Sequence, residues 1–132
     1  MPAVLNVGLD PRVVGDPDNP SEAFPTVDSA QVRAGLEKTA AELAGLGLDF
    51  ENCLLDRAPG AENRFRETIS QKHYDVINVG GGVRLDPSMT PLFEKLINIA
   101  RLHSPASVLC FNTGPTSTAE AVRRVWPPAE GA

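Results

Sequence analysis

Four short apolar runs punctuate this chain, at residues 4–9, 50–55, 74–79 and 107–111, and each is followed by a stretch that fits a helix. This alternation constrains the fold more than any other feature. Strands joined by helical crossovers lie parallel, their connections are right-handed, and the helices cover both faces of the sheet. The pattern therefore predicts an α/β fold, a three-layer sandwich around a short parallel sheet of about four strands in the order 2-1-3-4. A chain of 132 residues has room for one core, so we read residues 1–132 as a single domain.

Local signals fill in the crossovers. Asp28-Ser29-Ala30-Gln31 reads as a helix start, a polar cap with a glutamine three residues on. Val32, Leu36, Ala40 and Leu43 then recur at helical spacing, and Gly45 and Gly47 end that helix. A short helix over about 61–72 shows a thin apolar face, mainly Phe65 and Ile69, which predicts a place near an edge of the molecule. The near-continuous apolar character of 74–79 suits a strand covered on both faces. Asp86-Pro87 or Thr90-Pro91 starts the third helix, with proline where its missing N–H costs nothing. Its stripe is Leu92, Phe93, Leu96, Ile97, Ile99 and Ala100, and His103-Ser104-Pro105 ends it. Ser117-Thr118-Ala119-Glu120 matches a capping box ahead of a last helix that runs to about Val125. Between strand one and the first helix lies a long loop at about 11–28 with four prolines, placed to act as a lid. Residues 127–132 read as a loose tail, and no internal repeat stands out beyond the alternation.

The net charge of −5 and a pI near 4.9 describe an acidic surface. Such a surface repels phosphate backbones and anionic lipid, so neither nucleic acid nor membrane is expected as a partner. No apolar run approaches the roughly 18 residues that span a bilayer. The start of the chain lacks the basic flank of a signal peptide, which favours the cytoplasm. Cys53 and Cys110 each sit in an apolar run and are expected as buried, reduced thiols. Neither CxxC nor Cys/His spacing points to a metal, and no cofactor is expected.

In an open parallel sheet, ligands bind beyond the carboxyl ends of the strands, where the strand order reverses. With order 2-1-3-4 that point lies between strands one and three. The rule gathers Asp10 and Arg12 after strand one, and Asp56 and Arg57 after strand two. Gly80, Gly81, Gly82 and Arg84 follow strand three, and Asn112, Thr113, Gly114, Thr116 and Ser117 follow strand four. It sends His73 and His103 to the opposite edge, which argues against a catalytic histidine or a histidine-based metal site.

The glycine run admits two readings. It is either a tight turn that lets a helix pack closely, or an anion cradle of main-chain N–H groups completed by Arg84. A dinucleotide fingerprint would need glycine where Leu85 stands, and no Gly-Lys-Ser/Thr occurs. Asp10 is either a turn residue paired with an arginine or a carboxylate that orients substrate or moves a proton. The expected site is thus Asp10 and Arg84 as the reacting pair, with Arg12, Gly80, Gly81, Gly82, Asn112, Thr113 and Ser117 binding ligand. The expected function is binding of a phosphate- or carboxylate-bearing metabolite, with metal-free, non-redox catalysis left open. The alternative is a non-catalytic interaction domain that acts through a homodimer or a protein partner.

The alternation, with Val7-Gly8-Leu9-Asp10 ending strand one, resembles flavodoxin-like and Rossmann-like modules, response-regulator receiver domains among them. The resemblance covers most of the chain and is architectural. A receiver's acidic pair is reduced here to Asp10, and the Gly80–Gly82 run stands where its phosphoacceptor aspartate would be. Phosphorelay is therefore disfavoured. Gly80-Gly81-Gly82-Val83-Arg84, Phe93-Glu94-Lys95-Leu96-Ile97-Asn98 and Phe111-Asn112-Thr113-Gly114-Pro115 are also similar to a group of small uncharacterised bacterial and fungal proteins, which implies no assigned function.

Overall fold

The apolar runs become β1 (Ala3–Leu9), β2 (Asp49–Leu55), β3 (Val76–Val79) and β4 (Val108–Cys110) in a computed structural model of the chain. It describes residues 2–10, 29–114 and 116–127. All four strands are parallel, in the order β2-β1-β3-β4, so the switch point does lie between β1 and β3. Arg12, the proline-rich loop at 11–28 and the end of the tail from 128 lie outside the described residues.

Side chains alternate along each strand, and so each strand feeds two cores. Leu5, Val7, Leu9, Cys53, Leu55, Ile77 and Val79 point to one face. There they meet Phe65 and Ile69 of α2 (Ala61–Gln71), Val83 of α3 (Gly81–Arg84), and Leu96, Ile99 and Ala100 of α4 (Thr90–His103). Val4, Val76 and Cys110 point the other way, toward Leu43 of α1 (Ser29–Gly45) and Ala119, Ala121 and Val122 of α5 (Thr118–Val125). The thin apolar face of α2 suffices because that helix packs on the edge strand β2 and on α4. Gly60, at φ 85°, supplies the left-handed turn that leads into it.

Both starts proposed for the third helix are used. Asp86 opens a 3-10 turn, Pro87–Met89, by accepting hydrogen bonds from the N–H and the hydroxyl of Ser88 at 3.0 and 2.8 Å. Pro91 then sits in the first turn of α4. Helix α3 is an addition, one turn wound from the glycine run itself. The capping box at Ser117 does not form. Its hydroxyl turns back to accept from the N–H groups of Thr113 and Gly114 at 3.0 and 3.1 Å, and so closes the turn before α5 rather than capping it.

A polar brace secures the β2 edge. The Tyr74 hydroxyl donates to the Glu51 carboxylate, and Lys72 Nζ reaches the same side chain at 2.9 Å. These bonds hold the Glu51 carboxyl below its ordinary value of 4.5, while burial and the bond to Glu51 push the Tyr74 hydroxyl above its ordinary 10.0. A depressed carboxyl contributes stability above its unfolded pKa and loses it as pH falls. A raised phenol contributes fully below its unfolded pKa and loses it as pH rises. Stability is therefore expected to decline below about pH 4.5 and above about pH 10, and Tyr74→Phe should flatten both arms. Because Glu51 is half exposed, each arm is worth less than about 1 kcal/mol. Urea midpoints measured from about pH 3.5 to about pH 11, roughly one pH unit beyond each ordinary pKa, would check this.

Candidate functional site

The two central strands read almost alike, Val4-Leu5-Asn6-Val7-Gly8 in β1 and Val76-Ile77-Asn78-Val79 in β3 with Gly80 next in the chain. Parallel pairing sets Asn6 opposite Asn78, and on the outer sides Asn52 opposite Asn6 and Cys110 opposite Asn78. One row of the sheet is therefore Asn52–Asn6–Asn78–Cys110, on the face that carries α1 and α5. Asn78 is fully buried and Asn6 nearly so. Buried amides demand partners, and here they find one another. Asn78 Nδ2 donates to Asn6 Oδ1 at 2.7 Å, and Asn6 Nδ2 donates to Asn52 Oδ1 at 3.0 Å. At the other end Asn78 Oδ1 accepts from the main-chain N–H of Asn112 at 3.0 Å and from the Cys110 thiol at 3.6 Å. Burial pushes that thiol up to about 12.

Asn112 joins this ladder to the loops of the carboxyl edge. Its carbonyl accepts from Arg84 Nη2 at 2.7 Å, and its Oδ1 accepts from the N–H of Gly81 at 3.2 Å. Its Nδ2 donates to Thr118 Oγ1 at 2.9 Å. Each of its four polar atoms is thus committed inside the protein. Asn112 is a joint between β3, α3 and α5, and it has little left to offer a ligand.

The glycine run is similarly engaged. The Gly80 N–H donates to Val7 O at 2.8 Å, which extends the β1–β3 ladder, and the Gly81 N–H goes to Asn112. Only the Gly82 amide of the run lacks a hydrogen bond among the described residues. A Cβ on Gly80 would stand 3.4 Å from Val7 O and 3.9 Å from Asn112 Oδ1, in ordinary van der Waals contact, whereas one on Gly82 would press to 3.3 Å from Leu9 Cδ1. The glycine run thus forms a strand end and one helical turn, with the Gly80 and Gly81 amides engaged within the protein.

Arg84 is held where β3 and β4 part. Nη1 donates to Val79 O at 2.9 Å and Nη2 to Asn112 O, while the guanidinium lies 5.4 Å above the centre of the Phe111 ring. Phe111 is itself fixed edge-on by Phe93, with ring centres 6.2 Å apart. The arginine replaces the ladder bonds lost when β4 diverges, since the Asn112 N–H has turned to the Asn78 side chain. Its partners are carbonyls and an aromatic face, with no carboxylate among the described residues. The charge is therefore oriented and partly desolvated, and burial lowers its pKa.

The other expected residues divide. Asp10 follows Leu9 at the carboxyl edge, where its N–H continues the β1–β2 pairing to Leu55 O at 2.8 Å. Thr113 is exposed and is tied, hydroxyl to hydroxyl, to Ser117 at 3.1 Å. Ser117 maintains the turn. Arg57, half-buried behind β2, approaches the buried Asp86 carboxylate at 3.8 Å and links the loop after β2 to the turn after α3. His73 and His103 precede β3 and β4 at the amino edge, and His73 there faces Asp75 at 3.6 Å. Among the described residues no three His, Cys, Asp or Glu side chains group to hold a metal ion.

Asn6, Asn52 and Asn78 were not among the expected site residues. The signal was present in the repeated Val-Leu/Ile-Asn-Val-Gly of β1 and β3, which places like residues side by side once the strands pair. No protein-family model, curated protein or solved structure matches the chain.

Proposed function

We propose that this protein binds a small phosphate- or carboxylate-bearing metabolite at the carboxyl edge of its sheet. The observation that carries this reading is the state of Arg84. Its guanidinium is aimed by two carbonyls and an aromatic ring, yet no described carboxylate neutralises it. An arginine held in this way presents its remaining donors with little orientational freedom to lose, which suits a planar or tetrahedral anion. Asp10, at the end of the neighbouring strand, is the group we assign to orient the substrate or move a proton.

The alternative, assembly through an exposed strand edge, draws less support. The outer edge of β2 carries exposed Asp49 and Glu51, and charges there oppose strand addition. No helix among the described residues is long and apolar enough to cross a membrane.

A thermal-shift screen of phosphorylated and carboxylated metabolites tests the proposal. Binding at about 100 times Kd adds about 2.7 kcal/mol, which would raise Tm by roughly 10 °C in a domain of this size. The shift should be lost in Arg84→Met and partly kept in Arg84→Lys. If no such compound raises Tm, or if Arg84→Met responds like the parent protein, the proposal fails.

A further inference from the structure

The asparagine ladder has a direction, and a main-chain group sets it. The Asn112 N–H can only donate, so the atom of Asn78 that it meets must be the side-chain oxygen. That leaves Asn78 Nδ2 to donate to Asn6 Oδ1, and Asn6 Nδ2 to donate to Asn52 Oδ1. Every amide is thereby turned the same way, and such chains polarise each bond in sequence. The far end is the Nδ2 of Asn52, on an exposed residue of the edge strand, with no acceptor among the described residues. The ladder emerges as a donor.

Two positions further along the same face of the sheet stands Gly8. Gly8 occupies an interior strand, two residues beyond Asn6 and on the same face, yet no heavy atom of the described residues stands within 4 Å of where its Cβ would be. Leu54 pairs with Gly8 on the outer side, and Gly80 lies against it on the other. Among the described residues, the place above this central strand is thus unfilled, and Asn52 stands on the same face, two positions back on the neighbouring strand.

We propose that Asn52 Nδ2 is a second anchor of the ligand site, and that it receives an anionic oxygen, phosphoryl or carboxylate, seated over Gly8. This rests on the reading of the carboxyl edge as an anion site. It differs in placing recognition on β2, on the other side of β1 and β3 from the Asn112 carbonyl that holds Arg84, and in making Asn6 and Asn78 positioning residues for Asn52.

The test uses the full chain labelled with nitrogen-15 and titrated with inorganic phosphate. The side-chain NH2 of Asn52, the Nε–H of Arg84 and the backbone amide of Gly8 are followed together. Saturable shifts at Asn52 and Gly8 are expected. Asn52→Asp keeps an oxygen to accept from Asn6 but ends the ladder in a negative charge. It should weaken phosphate binding read at Gly8 by roughly tenfold or more while moving Tm by less than about 3 °C. Gly8→Val, which fills the space, should abolish the response. Unchanged phosphate affinity in Asn52→Asp overturns the inference. A shift at Arg84 with none at Asn52 also overturns it and leaves the Arg84 reading standing. The reverse pattern upholds Asn52 and removes Arg84 from the site, and silence at both removes both.

Discussion

Asn78→Ala is expected to destabilise the protein by about 3 kcal/mol, a large effect for loss of one polar side chain. Two strongly polar buried groups would be stranded by it, besides the weaker Cys110 thiol donor. The Asn112 N–H would lose its acceptor at 3.0 Å, and Asn6 Oδ1 its donor at 2.7 Å. Neither can turn to water, because Asn78 is fully buried and Asn6 and Asn112 nearly so. Each orphaned group costs about 1–3 kcal/mol, and the small cavity adds to that. The corresponding fall in Tm is roughly 10 °C. Asn52→Ala is the comparison, since it truncates the exposed end of the same ladder and leaves Asn6 Nδ2 within reach of solvent. Its cost should stay below about 1 kcal/mol. Equal urea midpoints for the two variants would show that the ladder does not act through burial.

Arg84→Ala is expected to cost about 2 kcal/mol. It removes two charge-assisted hydrogen bonds, to Val79 O and Asn112 O, together with the contact over Phe111. The loss falls short of the sum for two buried charged bonds because the side chain is only partly buried. Arg84→Lys retains the charge but not the fork, so it should recover less than half of the loss. Paired denaturation curves decide this. A stability equal to that of the parent protein would mean that the guanidinium does not bridge the two strand ends.

The alternation of strand and helix and the strand order were legible because hydrophobic periodicity survives in a single sequence. The interior position of β3 was legible for the same reason, in its unbroken apolar run. Helix α3 was not, since four residues are too few to display a helical period and glycine is a poor advertisement for one. Position within the fold was legible for Arg84, which follows β3 at the carboxyl edge as the topology requires. Its partners were not, because Val79 O and Asn112 O belong to the main chain and no side-chain pattern announces them. Ser117 shows a related limit. Its spacing to Glu120 fits a cap, but the hydroxyl found two nearer N–H groups in the preceding turn. The asparagines were hidden most completely. Asn6 and Asn78 each look like an isolated polar residue in an apolar strand, Asn52 follows the charged Glu51 in β2, and only the pairing of strands turns them into a row.

That row bears on how the chain avoids mis-pairing while it folds. β1 and β3 are short, apolar and nearly identical, the kind of segments that can slide past one another at little hydrophobic cost. A slip of one residue would carry Asn78 to the opposite face and set it against Leu5 or Val7, with its amide unanswered. The ladder thus penalises the misaligned sheets that leucine, isoleucine and valine alone would tolerate. Asn6 and Asn78 work as a lock between two interchangeable strands, closing only when every amide meets its neighbour.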